Sequence, residues 1–162
     1  MLVEHVVDLY ESGKSMQEVL SWIEENKLKI AHRFTVDDLN WLKRGGRVSN
    51  ASALVGTLLS IKPILYVPND GALKAVENVR GRKKALNSII ESIKNEVTNP
   101  DDIVFHINHA DCLEDAEYVR DTLLEAFPKA EIGISCLGVV IGAHCGPGLF
   151  TIFYMTDERR PK

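Results

Sequence analysis

The stretch Gly138-Val-Val-Ile-Gly142-Ala-His144-Cys145-Gly146-Pro147-Gly148-Leu-Phe-Thr-Ile-Phe-Tyr154 leaves the chain few options. A β-branched run leads into a glycine-rich turn around one histidine and one proline, and a second apolar run follows. Short apolar runs bounded by glycine and proline read as buried strands. Glycine admits backbone angles that other residues avoid and lets a ligand approach the chain closely. The expectation is two buried strands joined by a loop that holds His144 at its tip, where functional residues concentrate. Taken alone, that histidine reads as structural, satisfying a backbone carbonyl, and a ligand role needs other support.

Upstream, helical and strand patterns alternate. Leu2, Val3, Val6, Val7 and Tyr10 fall near one helical face over 2–11, closed by Gly13. Ser15-Met-Gln-Glu18 is a capping box that opens a helix over about 16–26. This leading pair starts abruptly at Met1 with no strand before it, and so reads as the tail of something longer. Residues 29–34 form a short strand, and Thr35-Val-Asp-Asp38 is a second box-like start leading into Leu39, Trp41 and Leu42. Gly45-Gly46 stops that helix at a left-handed cap, with Lys43 and Arg44 complementing its dipole. Arg47 lies beyond the glycines, just before Ser49, the candidate N-cap of a helix over about 50–60 that Lys62-Pro63 ends. An arginine beside a helix N-terminus is a candidate anion site; a surface arginine with no specific contact is the other reading.

Ile64–Val67, the turn Pro68-Asn-Asp70-Gly71 and residues 72–79 give a hairpin signal. Arg80-Gly81-Arg82-Lys83-Lys84 opens a helix over 82–96 with Leu86, Ile89, Ile90, Ile93 and Val97 on one face. Three of its cations stand at the wrong end for the helix dipole, which points to something negative nearby, a partner or a phosphate, although a solvated basic face is the usual meaning of a charge run. A strand over 103–108 follows, then a helix capped by Asp111-Cys-Leu-Glu114 with Leu113, Ala116, Val119, Leu123 and Phe127 facing inward, a strand over 131–136, and the final strand pair. Hairpins interrupt the βαβ rhythm. The fold expected over 1–162 is therefore one α/β domain of α+β character, a mixed sheet with antiparallel pairs and helices on its faces.

Several classes of chemistry drop out. A net charge of −4 over 162 residues argues against nucleic acid. No apolar run reaches the roughly 18 residues of a membrane span, and the first residues lack the basic leader of a signal peptide. Cys112, Cys136 and Cys145 cannot all pair, which fits a reducing cytoplasm. His106-x-x-His109-x-x-Cys112, with His144, offers zinc-type ligands, but His106 falls within a strand and His109 just past its end, so no regular element sets their directions. Cys145 beside His144 on an extended chain would point to the opposite face. No nucleophile elbow, Walker loop or dinucleotide fingerprint is present, and Pro147 removes an amide from the glycine turn.

Four stretches gain meaning together: Leu39-Asn-Trp-Leu-Lys-Arg-Gly-Gly-Arg47-Val-Ser49, Ile61-Lys-Pro-Ile-Leu65 with Asp70-Gly71, Val79-Arg80-Gly-Arg82-Lys-Lys-Ala85, and Ile141-Gly-Ala-His144-Cys-Gly-Pro-Gly148. In this order and spacing they resemble the DegV family of bacterial fatty-acid-binding proteins. The resemblance spans the chain but matches the family's C-terminal domain with its leading helices, the N-terminal domain being absent. It implies a mixed-sheet fold that holds one long-chain fatty acid, with the tail in an apolar tunnel and the carboxylate at the domain interface. It also implies a carrier without a cofactor or catalytic residue, which presents the acid to a separate fatty-acid kinase. His144 matches the carboxylate-side histidine and Arg47 the arginine near the cleft. Gly142, Gly146 and Ile64 join them in the implied ligand set, and Arg80, Arg82 and Lys83 fall in the segment implied to dock the kinase. Cys145 stands where the family commonly has Thr or another small residue. Burial of an acyl tail yields about 0.8 kcal/mol per methylene, and its carboxylate needs a partner once buried. Without the other half, the chain is expected to show an open apolar face prone to self-association. Two other readings stay open: a metal-dependent enzyme using His106, His109, Cys112 and His144, and a protein-interaction module without lipid.

Overall fold

The structure, a computed structural model, describes residues 1–46 and 61–157. Arg47, Ser49 and the helix expected over 50–60 lie outside the described residues. In chain order the elements are α1 (Leu2–Glu11), α2 (Met16–Asn26), β1 (Ile30–Thr35), α3 (Leu39–Arg44), β2 (Ile61–Tyr66), β3 (Lys74–Arg80), α4 (Arg82–Glu96), β4 (Val104–Ala110), α5 (Leu113–Ala126), β5 (Glu131–Cys136), α6 (Val139–Cys145) and β6 (Leu149–Met155).

The strands form one six-stranded sheet in the order β3-β2-β1-β6-β4-β5. All neighbouring pairs are antiparallel except β4 and β5, which α5 connects as a crossover. The mixed sheet expected is present, with one of the two expected hairpins, β2–β3. Strand alternation splits the side chains between two faces. On one face Ala31, Ile64, Phe105, Ile107, Phe150 and Ile152 pack against Leu86, Ile89, Ile93 of α4 and Val119, Leu123 of α5. The other face carries a smaller cluster, Phe34, Val36, Leu42, Leu65 and Leu149, to which Cys145 and Leu39 add.

A buried charge pair sits within the larger cluster. Arg33 of β1 donates from Nη2 to Glu96 Oε2 at 2.6 Å, and both side chains are sealed from solvent. Tyr154 and Ser92 also donate to the Glu96 carboxylate. The guanidinium lies 5.8 Å from the Tyr66 ring centroid and 6.0 Å from that of Tyr154. Burial and the Glu96 carboxylate push the Tyr154 hydroxyl well above the ordinary tyrosine range, so it stays a donor.

Several local expectations need correction. Residues 139–145 are helix, not strand, and Val139 and Val140 are 86% and 68% exposed rather than buried. Lys62 and Pro63 lie inside β2, and the helix they are expected to end falls outside the described residues. Pro63 lies beyond the β1 ladder, which reaches only Ile64–Tyr66, and pairs with Asn78 of β3 alone, as proline near a strand's start can. The helix α5 is capped by Cys112 without a side-chain hydrogen bond, not by Asp111, whose φ is 53°. His109 lies within β4, not past it. On α1, Val3, Val7 and Tyr10 face solvent, and on α5 Leu113 does likewise. Thr35 ends β1 rather than opening a cap; Asp38 alone caps α3.

The capping box at α2 forms as read, with Glu18 N donating to Ser15 Oγ and Ser15 N to Glu18 Oε2 at 2.8 Å. The Ser15 amide, with Lys14 beside it, holds the Glu18 carboxyl down at about 2. Because the folded value is depressed, its contribution is complete above the ordinary value of 4.5 and is lost as pH falls through about 2. Carboxyl-detected NMR should therefore find Glu18 titrating near 2, with the first turn of α2 fraying over that window. An ordinary titration would contradict the box.

Candidate functional site

The glycine-rich stretch and the glycine pair of α3 meet in space. Asp38 caps α3, its Oδ1 accepting from Asn40 N at 2.8 Å. Gly45 is the C-cap in ordinary helical geometry, φ −74°, and Gly46 takes the left-handed turn, φ +70°. Lys43 and Arg44 occupy the last turn, with the Arg44 guanidinium 5.6 Å from the Trp41 ring centroid. Across from α3 runs α6, with His144 half-buried in its last turn and Gly146 ending it at φ 75°, ψ 175°.

Three glycines make this contact possible. A Cβ on Gly45 would fall 2.9 Å from His144 Nδ1, one on Gly146 2.5 Å from Trp41 Cγ, and one on Gly148 2.7 Å from Asp37 Cβ. Only glycine fits backbones so close. Gly148 also anchors the turn, its N–H donating to Ala110 O at 2.7 Å. Gly142 has open space around it and lies mid-helix. His144 thus sits on a short helix braced by α3, not on the tip of a strand-to-strand loop.

Ile64 is not brought to this place. Its side chain lies in the cluster under α4, whereas Leu65 belongs to the cluster beneath α3 and beside Cys145. The register shift between Ile64 and Leu65 in the β2–β3 ladder marks the spot.

One cation of the basic segment, Arg82, finds its negative charge within the chain. Arg82 Nε pairs with Asp115 Oδ2 at 2.8 Å, and its Nη1 lies 3.6 Å from Asp37 Oδ1. Lys62 pairs with the same Asp37 carboxylate at 2.8 Å. Asp37 therefore ties β2, the start of α4 and the Gly148 turn together; the sequence marks it only as a residue before a cap. Lys83 Nζ lies 5.2 Å from the Tyr118 ring centroid, and Arg80 is exposed at the end of edge strand β3.

The metal-type residues are dispersed. His106 and His109 sit an odd number of positions apart on β4 and project from opposite faces. His106 Nε2 lies 2.9 Å from Glu4 Oε2 of α1, while His109 Nδ1 accepts from Cys112 N at 3.4 Å. Among the described residues, no three His, Cys, Asp or Glu side chains gather as a metal site. Burial raises the thiol pKa of both Cys112 and Cys145, which leaves them protonated and poor nucleophiles. No helix among the described residues is long and apolar enough to cross a membrane.

Residues 1–157 match the model of the family described as "Uncharacterised protein, DegV family". A DegV domain-containing protein of Clostridium perfringens is 42% identical over 99% of this chain and 55% of its own length. A solved DegV family protein from Thermus thermophilus, described for its fatty acid binding, superposes with a TM-score of 0.87 at 31% identity, covering 96% of this chain and 56% of that one. A fatty acid binding DegV family protein from Streptococcus agalactiae gives 0.84 at 32% identity, covering 97% of this chain and 55% of that one. The chain thus spans about half the length of the relatives it matches. With the family model covering all but its last few residues, this chain belongs to the DegV family.

Proposed function

We propose that this chain supplies the C-terminal half of a fatty-acid-binding site, in a carrier that hands the acid to a separate fatty-acid kinase. The observation that carries the reading is the placement of His144: half-buried, braced by α3, and one turn from the exposed Val139, Val140 and Ile141. A carboxylate bound there has an imidazole donor, and its acyl tail has apolar surface to cover. Fatty acid binding in the Thermus and Streptococcus relatives supports the same ligand class. Arg47 is the second residue proposed for the carboxylate; Gly142, with open space around it, is proposed to leave room for the ligand, and Gly146 belongs to the proposed set through its place beside His144. Ile64, on the opposite face of the sheet from His144, remains in the proposed ligand set only on the strength of the resemblance.

For the kinase we propose Arg80 and Lys83 as docking cations. Arg82 acts through Asp115 and Asp37, holding the segment that presents them. The chain binds and presents rather than catalyses, needs no cofactor and works in the cytoplasm. The exposed apolar start of α6 is the surface through which the chain, without its other half, would self-associate.

Mass spectrometry of lipids extracted from the protein purified from its own cells should find long-chain fatty acid. His144→Ala should weaken binding by about tenfold to a hundredfold, the loss of one hydrogen bond to a charged group. Protein free of fatty acid, with a melting temperature that added fatty acid does not move, would overturn the proposal.

A further inference from the structure

The short helix α6 buries none of its side chains fully, so its own packing does not set where His144 points. What fixes it is the run of close approaches to the α3 segment. Of these, the one at Gly45 is the most informative. Gly146 and Gly148 have positive φ and need glycine for their backbone alone. Gly45 does not: φ −74°, ψ −2° is open to any residue, so only space explains glycine there. The space is filled by the His144 ring, with Nδ1 2.9 Å and Cγ 3.6 Å from where a Cβ would stand.

We infer that Gly45 and Trp41 are positioning residues for His144, seating the Nδ1 edge of its ring on the Gly45 backbone so that Nε2–H is the donor offered to a carboxylate. A neutral imidazole has one donor nitrogen and one acceptor. Nδ1 packs against the Gly45 methylene and, among the described residues, makes no hydrogen bond, not even to Leu42 O, which lies 3.6 Å from the same Cβ position, so the bare nitrogen belongs there and the proton on Nε2. Trp41 holds the other end of the arrangement, its indole lying across Gly146 and beneath Arg44. Only the choice of ligand rests on the fatty-acid reading; the ring's seating does not.

The two neighbouring glycines give a paired test. Gly45→Ala keeps an allowed backbone but puts a methyl against the ring. Gly46→Ala strains a left-handed position that has open space around it. Long-range proton–nitrogen NMR without ligand should show His144 as the Nε2–H tautomer in the wild type. In Gly45→Ala the tautomer ratio should shift and palmitate should bind at least tenfold more weakly, with the melting temperature little changed. Gly46→Ala should do the reverse, losing several degrees while keeping tautomer and affinity. Trp41→Ala should disturb the His144 signals, and Trp41→Phe should restore them. The inference is overturned if Gly45→Ala leaves tautomer and signals untouched, or if Gly46→Ala moves them equally. Should wild-type protein bind no palmitate while the NMR responses appear as stated, the seating stands and only the fatty-acid reading falls.

Discussion

Gly146→Ala should be among the most damaging single substitutions in this chain. Two costs add. At φ 75°, ψ 175° the backbone occupies a region that is essentially restricted to glycine, which costs about 1–3 kcal/mol for any other residue. The new methyl would also stand 2.5 Å from Trp41 Cγ and 2.6 Å from its Nε1. Overpacking against a ring with little room to retreat costs about 1–3 kcal/mol more. At about 2–4 °C per kcal/mol for a chain of this size, the melting temperature should fall by roughly 5–20 °C. Scanning calorimetry checks the total, and the double variant with Trp41→Ala checks the division. Removing the indole relieves the clash but not the backbone strain, so the two substitutions should combine to less than their sum. A shift below two degrees for Gly146→Ala would mean that neither the glycine-only backbone nor the Trp41 contact is as described.

Glu96→Ala should be comparably severe for a different reason. It leaves Arg33 charged and sealed from water, and strips Tyr154 and Ser92 of their acceptor. Breaking one side of a buried pair costs about 3–5 kcal/mol, mostly from the charge left behind. Denaturant unfolding should show the midpoint falling accordingly with the slope unchanged. Replacing both partners, Arg33→Met with Glu96→Leu, should recover most of that loss, because no charge then remains buried. If Glu96→Ala unfolds at the wild-type midpoint, the pair is not sealed as described.

Neither of these centres was equally legible in the sequence. The capping box at Ser15, the Asp70-Gly71 hairpin and the inward stripe of α4 were readable because the chemistry is local and periodic. The run Val139–Ile141 was not. A short β-branched run bounded by glycine has no length to separate helix from strand. The deciding fact is topological: β6 lies between β1 and β4, so both its edges are taken and a hairpin partner has no ladder to join. Backbone groups without a ladder must satisfy one another, and they do so as a helix. The Arg33–Glu96 pair spans 63 positions, and no local pattern announces a contact of that range. At the site, spacing singled out His144 and the glycines. It could not say that Gly45, Gly146 and Gly148 serve one contact, nor that Trp41 and Asp37 are its other side.

The strand β6 sets, by its position, where the chain can open. It is an interior strand of the sheet, laddered on both edges, while α6 just before it buries nothing fully. Resistance to hydrogen exchange therefore changes abruptly at Gly148: amides on the near side open by local fraying, those beyond it only when the sheet comes apart. His144 therefore stands on the side that opens locally, joined through Gly148 to a strand that stays closed.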